Sequence, residues 1–399
     1  MNQTKTVVIS SSFSLLVVSI FFTIFYFFIF PSEKEYNTGL NYDSSNAYVP
    51  VAVNTRMNLT DDINSGRQTI ITRTVHEVSP AVVGITVTEI RQYVVDPWAQ
   101  LDPFYRHFFG NGVVKQQVKS LGSGAIISPD GYIITNDHVA GSGIKIIVTM
   151  TDGKEYDAEL IGTDPVSDIC LLKISADNLP YIKLGNSDDI LIGEWAIALG
   201  NPFGLFEKSD KPTVTVGVVS ATGMNLDPVN DKYYINMIQT DAAINGGNSG
   251  GPLVNCVGEL IGMNTLIYTA NGSSGNVGVG FAIPVNKVKR IVEELKENGK
   301  VNRNFRTGLR IQTIDESIAK YYHLSTSRGV IITYVLKDSP ADKAGLKVGD
   351  IITEIENFRI NNENTMIGAI NEFRAGDRIR FKIYRDDKYL TKTMVLEEL

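Results

Sequence analysis

Ser249 stands where a serine could act as a nucleophile. It lies in INGGNSGGPLVN, residues 244–255, where four glycines and one proline surround a single serine. A serine hydroxyl attacks a carbonyl efficiently when nearby backbone N–H groups stabilise the oxyanion that forms. Gly247 and Gly250 allow the sharp turn that directs the N–H groups of Gly247 and Ser249 to one point. An ordinary surface loop has the same composition, so this stretch alone leaves both interpretations open.

A nucleophilic serine needs a base, and His138 has the most suitable setting among the four histidines. It follows the apolar run Tyr132–Thr135, which predicts a strand that ends at a glycine-rich turn. An imidazole at the end of a strand is well placed for function. The other three are interpreted as solvated or core-edge side chains: His76 in a polar stretch, His107 in an aromatic loop and His323 after two tyrosines.

The third group required is a carboxylate that fixes the tautomer of the imidazole and stabilises the imidazolium. Asp164 precedes a proline and is predicted to be a turn residue, whereas Asp168 begins the apolar run ICLLKI, which predicts a buried strand. Asp137 is adjacent to His138 but would project away from the ring on an extended segment, because successive side chains alternate faces. Asp168 is therefore the predicted acid.

The order His138, Asp168, Ser249 is that of the chymotrypsin architecture. Together with this order, the segments TNDHV, SDICLLKI, LGNPFG, QTDAAINGGNSGGPLVN and GFAIP resemble the HtrA/Deg family of trypsin-like serine proteases. The resemblance covers most of residues 70–399. It implies that His138 is the base, Asp168 the orienting acid and Ser249 the nucleophile. It also implies that the N–H groups of Gly247 and Ser249 form the oxyanion hole.

Two residues depart from the pattern of that family. Cys170 occupies a place where alanine is usual, and Asp137 one where a neutral residue is usual. Neither change removes a catalytic group, but a charge beside His138 is expected to influence its protonation equilibrium. Cys170 and Cys256 both lie in apolar runs and are interpreted as buried thiols, although a disulfide between them stays open at this point.

Composition limits the classes of function. A chain of 399 residues allows two or three domains, and 43% apolar with 20% charged residues is typical of a globular protein. The net charge of −7 argues against nucleic acid as a partner. The sequence contains neither a Cys/His pattern with metal-ligand spacing nor a phosphate-binding P-loop motif. Catalysis is therefore expected to need no metal and no other cofactor.

The amino-terminal segment predicts a membrane anchor. Residues 6–30 carry no charge and are rich in phenylalanine and isoleucine. This apolar run is long enough for a single transmembrane helix. A cleaved signal peptide is the alternative, but its short apolar region and small-residue cleavage site are missing. With Lys5 before the span and no positive excess after it, residues 1–30 are expected to form a cytoplasmic tail and anchor. Residues 31–69 are polar and aperiodic and predict a linker.

Residues 70–300 predict an all-β, chymotrypsin-like double β-barrel protease domain. Its first strand is expected in TRTVHEVSPAVVGITV, where apolar residues alternate. Short strands separated by Gly, Pro, Asn and Asp turns then continue to about residue 285. VNKVKRIVEELKENGK, with apolar residues at helical spacing and Gly299 near its end, predicts an amphipathic helix that closes the domain.

Residues 301–399 predict a mixed α/β domain that resembles a PDZ domain, on the signature SPADKAGLKVGDIITEI. Small helices are expected at SPADKAGL and near residues 363–373. PDZ domains bind an extended peptide by adding it as a strand at a sheet edge, and a backbone loop captures its terminal carboxylate. The resemblance assigns peptide binding to five residues: Arg306, Thr307, Gly308, Leu309 and Ile311.

The resemblance implies a membrane-anchored serine endopeptidase of the cell envelope, with both domains on the periplasmic side of the inner membrane. Its substrates would be unfolded or regulatory proteins in stress response and protein quality control. Exposed carboxyl-terminal peptides that bind to the PDZ domain would activate the protease or recruit substrates to it. Residues 262–266 and the segment around Gly280 and Phe281 would form the walls of the specificity pocket beside the nucleophile. Cleavage is predicted after small or medium apolar residues. The family also implies a homotrimer, with the aromatic loop 96–112 as an assembly or gating element.

A proteolytically silent chaperone or binding scaffold on the same fold is the alternative function. An intact set of His138, Asp168 and Ser249 argues against it, because a chain without catalysis has no chemical reason to keep these residues together.

Overall fold

The computed structural model describes residues 67–94, 113–201, 211–267, 277–324 and 327–399. The predicted membrane span, almost all of the linker and the aromatic loop 96–112 lie outside these residues. No helix among the described residues is long and apolar enough to cross a membrane.

The chain enters the first barrel through a helix, and the first strand predicted in TRTVHEVSPAVVGITV occupies only the second part of that segment, from Val82 onwards. Helix α1 (Ile70–Val78) begins at Thr69, whose side chain forms a reciprocal capping box with Thr72. A 3₁₀ turn at Ser79–Ala81 follows, and strand β1 (Val82–Val94) begins only after it. Apolar positions three and four residues apart also fit a helix, and the capping box favours that alternative.

The first barrel contains six antiparallel strands and closes in the order β1-β2-β3-β6-β5-β4. A four-residue helix, α2, follows β3, and the buried strand predicted at ICLLKI is β6. The remaining elements of this barrel are β2 (Val113–Ile126), β3 (Tyr132–Thr135), α2 (Asp137–Ala140), β4 (Lys145–Thr149), β5 (Glu155–Asp164) and β6 (Ile169–Ile174).

The second barrel closes in the order β10-β11-β12-β9-β8-β7, which confirms the predicted pair of barrels. Every residue of the GFAIP segment is buried in its core. Its strands are β7 (Trp195–Gly200), β8 (Thr213–Met224), β9 (Met237–Thr240), β10 (Pro252–Val254), β11 (Leu260–Ile267) and β12 (Gly280–Pro284).

Helix α3 (Val285–Asn298) leaves the second barrel and packs back on the first, as the amphipathic pattern predicts. Its apolar stripe is buried, and Gly299 ends the helix with φ +68°, a left-handed conformation that glycine adopts easily. The buried residues of this stripe are Val285, Val288, Ile291, Val292 and Leu295.

The carboxyl-terminal part is a mixed α/β domain with its own core. Its sheet has the order β14-β15-β16-β18-β19, with β17 on β16, and β13 pairs separately with β20. The strands are β13 (Phe305–Arg306), β14 (Leu309–Thr313), β15 (Val330–Val335), β16 (Ile351–Ile355), β17 (Phe358–Arg359), β18 (Arg378–Arg385), β19 (Lys388–Val395) and β20 (Glu397–Glu398). The helices are α4 (Glu316–Tyr321), α5 (Pro340–Lys343) and α6 (Glu363–Ile370).

Candidate active site

His138 and Asp168 are in direct contact. Nδ1 of His138 lies 2.8 Å from Oδ2 of Asp168, and the backbone N–H of His138 donates to Oδ1 at 3.0 Å. Asp168 occupies the turn between β5 and β6 with φ +59°. Asn136, the residue before α2, donates from Nδ2 to the Asp168 carbonyl at 2.9 Å and so ties the two segments together.

The Asp168 carboxylate is fully buried, and it contacts two hydroxyl donors and one ammonium group in addition to His138. Thr265 donates from Oγ1 at 2.8 Å, Tyr234 donates from its hydroxyl at 3.2 Å, and the Lys232 ammonium lies 3.3 Å away. Burial alone would raise the pKa of Asp168, but the hydrogen bonds and charge of His138, followed by the charge of Lys232, hold that pKa below its ordinary value. The carboxylate is therefore ionised at neutral pH, and it accepts a hydrogen bond from Nδ1–H of His138.

Asp137 points away from the imidazole, but the reason given from the sequence was wrong. The segment is a turn of helix rather than an extended strand, because Asp137 opens α2. Its carboxylate accepts a hydrogen bond from Thr163 Oγ1 at 2.6 Å and pairs with the Lys232 ammonium. In the described structure it is Asp168 that hydrogen-bonds to the imidazole ring of His138.

Asp164 is not a turn residue, contrary to prediction. It ends β5 and is only 1% exposed. The guanidinium of Arg303 donates to both of its oxygens, at 2.5 and 2.7 Å. Asp164 is therefore a structural anion that joins the loop before Asp168 to the chain segment after α3.

Ser249 lies next to this pair without a hydrogen bond to His138 in the described structure. Its hydroxyl donates to the carbonyl of Thr265 at 3.2 Å. Thr265 thus contacts both groups, since its own hydroxyl donates to Asp168. The Ser249 carbonyl also accepts from the N–H of Ser123 at 3.0 Å, which connects the serine turn to the first barrel.

The turn around Ser249 contains two glycines in a left-handed backbone conformation. Gly247 has φ +101° and Gly250 has φ +82°, both in the region that favours glycine. The N–H groups of Gly247 and Ser249 donate to no acceptor in the described ranges.

Three partners of Asp168 could not be singled out from the sequence: Lys232, Tyr234 and Thr265. Thr265 falls in the predicted pocket wall, but nothing in its local pattern shows that its hydroxyl faces the acid. Tyr234 is 2% exposed, and burial, followed by the charge of Asp168, raises its pKa, so its phenol remains a donor. Lys232 and Tyr234 reach the site from the β8–β9 loop, a contact that only the fold creates.

The predicted pocket walls come together in neighbouring strands. Residues 262–266 belong to β11 and Gly280 and Phe281 to β12, and these strands pair antiparallel. Ile244, 1% exposed, fills the space beside Gly280: a Cβ at Gly280 would lie 2.6 Å from its Cγ1. The side chain packed against Gly280 is therefore a buried, apolar one.

The predicted peptide-binding residues lie at one edge of the carboxyl-terminal sheet. Strand β14, which carries Leu309 and Ile311, is an edge strand. Gly308 has φ +78°, and the carbonyl of Thr307 accepts from Ala341 N–H at 3.1 Å, which fixes the preceding loop. The fifth residue, Arg306, pairs with Glu397 of β20 at 3.0 Å. Its side chain is therefore already engaged by a carboxylate of this chain.

Comparisons with known proteins agree with this architecture. Residues 122–263 match the family model of the trypsin-like peptidase domain, and residues 291–395 match that of the PDZ domain. A protein named probable periplasmic serine endoprotease DegP-like from Marinomonas sp. (strain MWYL1) is 43% identical over 342 residues, which cover 82% of this chain and 71% of that protein.

A protein of the same name from Chlamydia pneumoniae is 44% identical over 293 residues, which cover 72% of this chain. The chain spans only 58% of the length of that relative. Among solved structures, HtrA-type protease AlgW with decapeptide aligns with TM-score 0.61 and 33% identity, over 83% of this chain and 99% of that one. The serine endoprotease from Yersinia pestis aligns with TM-score 0.51 and 32% identity, over 83% and 99%.

The similarity is high over both barrels and the carboxyl-terminal domain, and each solved structure is matched over almost its full length. The chain therefore belongs to the HtrA family of serine endoproteases, with a trypsin-like peptidase domain followed by one PDZ domain.

Proposed function

We propose that the chain hydrolyses peptide bonds with Ser249 as nucleophile, His138 as base and Asp168 as orienting acid. The observation that carries the proposal is the fully buried Asp168 carboxylate 2.8 Å from Nδ1 of His138. An ionised carboxylate only accepts hydrogen bonds, so the proton sits on Nδ1. Nε2 is then the basic nitrogen that faces substrate and nucleophile.

The reaction begins when the Ser249 hydroxyl turns from the Thr265 carbonyl towards Nε2 of His138. Oγ bonds to the substrate carbonyl carbon as its proton passes to Nε2, and the carbonyl oxygen becomes an oxyanion that accepts from the N–H groups of Gly247 and Ser249. The C–N bond then breaks, and Nε2 returns the proton to the leaving amine. A water molecule hydrolyses the acyl ester by the same proton transfers in reverse.

Substrate choice is proposed to favour small or medium apolar residues before the cleaved bond. The support for this choice is that residues 262–266, Gly280 and Phe281, the described parts of the predicted pocket walls, include no acidic side chain that could pair with lysine or arginine. A peptide series that varies only this residue tests the proposal. Fastest cleavage after valine or alanine is expected, and fastest cleavage after arginine would contradict it.

The PDZ domain is proposed to bind exposed carboxyl termini at the edge of β14. AlgW, a relative of this chain, was solved with a decapeptide. Helix α6 of this domain contacts the β8–β9 loop: a Cβ at Gly368 would lie 2.5 Å from Ile235 Cγ1. Because the same loop carries Tyr234 to Asp168, this contact supports control of catalysis by the bound peptide as well as recruitment.

The protein is proposed to act in the periplasm, held to the inner membrane by residues 1–30, as a homotrimer in stress response or protein quality control. The periplasmic location is supported by the names of its relatives. The anchor is supported by the uncharged run of residues 6–30, and the trimer by family resemblance alone. Light scattering on the detergent-solubilised chain tests the trimer, and a monomeric mass would contradict it.

Hydrolysis of an unfolded protein by the full chain in detergent tests the central proposal. We expect cleavage that Ser249→Ala abolishes, and a rise in rate with a hydrophobic peptide that has a free carboxyl terminus. The matched control is the same peptide with an amidated terminus, which should not activate because the carboxylate is what the loop captures.

The alternative, a proteolytically silent scaffold, is favoured by one contact: the Ser249 hydroxyl bonds to the Thr265 carbonyl rather than to His138. A scaffold would suppress aggregation equally in wild type and Ser249→Ala and would show no cleavage with any peptide. Cleavage that depends on Ser249 would exclude it.

A further inference from the structure

We infer that Lys232 is a positioning residue that balances the charge around His138 by bridging Asp137 and Asp168. The inference rests on the proposed role of His138 as base. The Lys232 ammonium forms an ion pair with Oδ2 of Asp137 and lies 3.3 Å from Oδ1 of Asp168. One cation is thus shared by the carboxylate that orients His138 and by the carboxylate of the residue before it.

Lys232 is held in this place by backbone structure. Asn230 and Asp231 both have positive φ, +50° and +61°, and the flanking Val229 and Lys232 exchange two backbone hydrogen bonds at 3.2 and 3.0 Å. Two consecutive residues with positive φ form a tight hairpin turn. The next residue, Tyr233, donates its N–H to the Val166 carbonyl at 2.9 Å. The lysine is therefore presented by a turn that is fastened to the acid loop.

The Lys232–Asp137 ion pair is buried enough for its charges to influence His138. The side chains of Lys232 and Asp137 are each 14% exposed, and that of Asp168 is fully buried. Thr163 donates to the other oxygen of Asp137, so this carboxylate is fixed in direction. Charges in such a site are screened less than exposed ones.

Two further titratable groups of the described structure lie near these carboxylates, Tyr234 and Cys170, and both are neutral. Burial raises the pKa of the Tyr234 phenol and of the Cys170 thiol, and the charges of nearby aspartates add to the effect. Among the residues that the structure describes, the charged groups of this cluster are therefore Asp168, Asp137 and Lys232. Two carboxylates and one ammonium leave a single net negative charge, which stabilises the imidazolium that forms during the reaction.

Altering the pair should move the acid limb of the pH profile of kcat/KM, which reports protonation of the base in the free enzyme. In Lys232→Gln two uncompensated carboxylates favour imidazolium, so the midpoint moves to higher pH. In Asp137→Asn the ammonium is left against Asp168, so the midpoint moves to lower pH. We expect each midpoint to shift by about 0.5 to 1 pH unit. This is at the low end of the usual effect of a nearby charge, because the Lys232–Asp137 pair is partly exposed.

The profiles are measured with a short peptide substrate on the full chain in detergent, with thermal unfolding recorded for each variant. Lys232→Arg retains the charge and should keep the wild-type midpoint. The double variant Asp137→Asn, Lys232→Gln restores the net charge and should return to it. A purely structural role would lower activity or melting temperature without shifts of opposite sign.

Equal midpoints in all variants, or shifts of the same sign in both single variants, would overturn the inference. Wild-type activity that Ser249→Ala abolishes would leave the proposed function standing in that case. An inactive wild type would instead count against the proposed function itself, on which this inference rests.

Discussion

Replacement of Arg303 by methionine should destabilise the protease barrels, and more so at alkaline than at acid pH. Arg303 follows α3 and donates to both oxygens of Asp164, with a further contact to Ser167 Oγ at 3.1 Å. The side chain of Asp164 is 2% exposed and that of Arg303 13%. Removal of the guanidinium therefore leaves an anion inside the protein without its main partner.

The magnitude follows from this burial. Breaking a buried ion pair by removing one partner costs about 3–5 kcal/mol. We expect the lower end, about 3 kcal/mol, because the nearby Ser167 hydroxyl and the charge of Lys287 still lower the pKa of Asp164 after the guanidinium is removed. For a domain of this size, each kcal/mol lowers the melting temperature by about 2–4 °C, so a drop of about 6–12 °C is expected at pH 8.

The pH dependence has a defined sign. Burial alone would raise the pKa of Asp164, but the hydrogen bonds and charge of Arg303 hold that pKa below its ordinary value. In wild type the stability from this pair is therefore present above the unfolded pKa and is lost as pH falls through the folded pKa. In Arg303→Met the effect of burial on the pKa of Asp164 is largely unopposed. Asp164 is therefore protonated at a higher pH than in wild type, and the variant's loss of stability becomes smaller towards pH 4.5.

The assay is differential scanning calorimetry of wild type and variants at pH 4.5 and 8. Arg374→Met is the matched control, since Arg374 pairs with Glu294 at 2.8 Å but both side chains are about one fifth exposed. That control should cost about 1 kcal/mol or less. The double variant Asp164→Asn, Arg303→Met should recover most of the loss. A drop equal to that of Arg374→Met, or one independent of pH, would refute the reasoning.

Two further predictions concern the site and the core. Gly250→Ala should reduce kcat by on the order of 100-fold or more, because a Cβ there would lie 2.2 Å from Thr135 Oγ1 and displace the turn that carries Ser249 and the proposed oxyanion-hole N–H groups. Gly153→Ala, also at positive φ but in open space, is its control, and equal activity loss in both would contradict the steric argument. Cys170 is free and buried, and burial raises the pKa of its thiol, so a thiol reagent at pH 8 should modify partly exposed Cys256 first. Rapid modification of both thiols in the native protein would contradict this.

The secondary-structure elements around the site were predictable where the local sequence pattern had only one structural interpretation. ICLLKI is buried along almost its whole length in β6, and the apolar stripe of α3 ends at a left-handed Gly299, as its sequence suggests. The segment before β1 was not predictable in this way, because its apolar spacing fits a strand and a helix equally well. The capping box at Thr69 is a weak local signal, and the contact of Thr74 with the Cys256 carbonyl at 2.5 Å is a tertiary one.

By itself, the sequence determined the residue types that can perform the chemistry and their order: His138, Asp168 and Ser249 in settings that suit a base, an acid and a nucleophile. These are properties of short segments, because strand ends and glycine turns are encoded locally. Only the tertiary structure decided what surrounds Asp168. Lys232, Tyr234 and Thr265 reach it from 64 to 97 positions along the chain, across the interface of two barrels. Burial and the distance between charges depend on that packing, so the electrostatics of the site could not be read from any one segment.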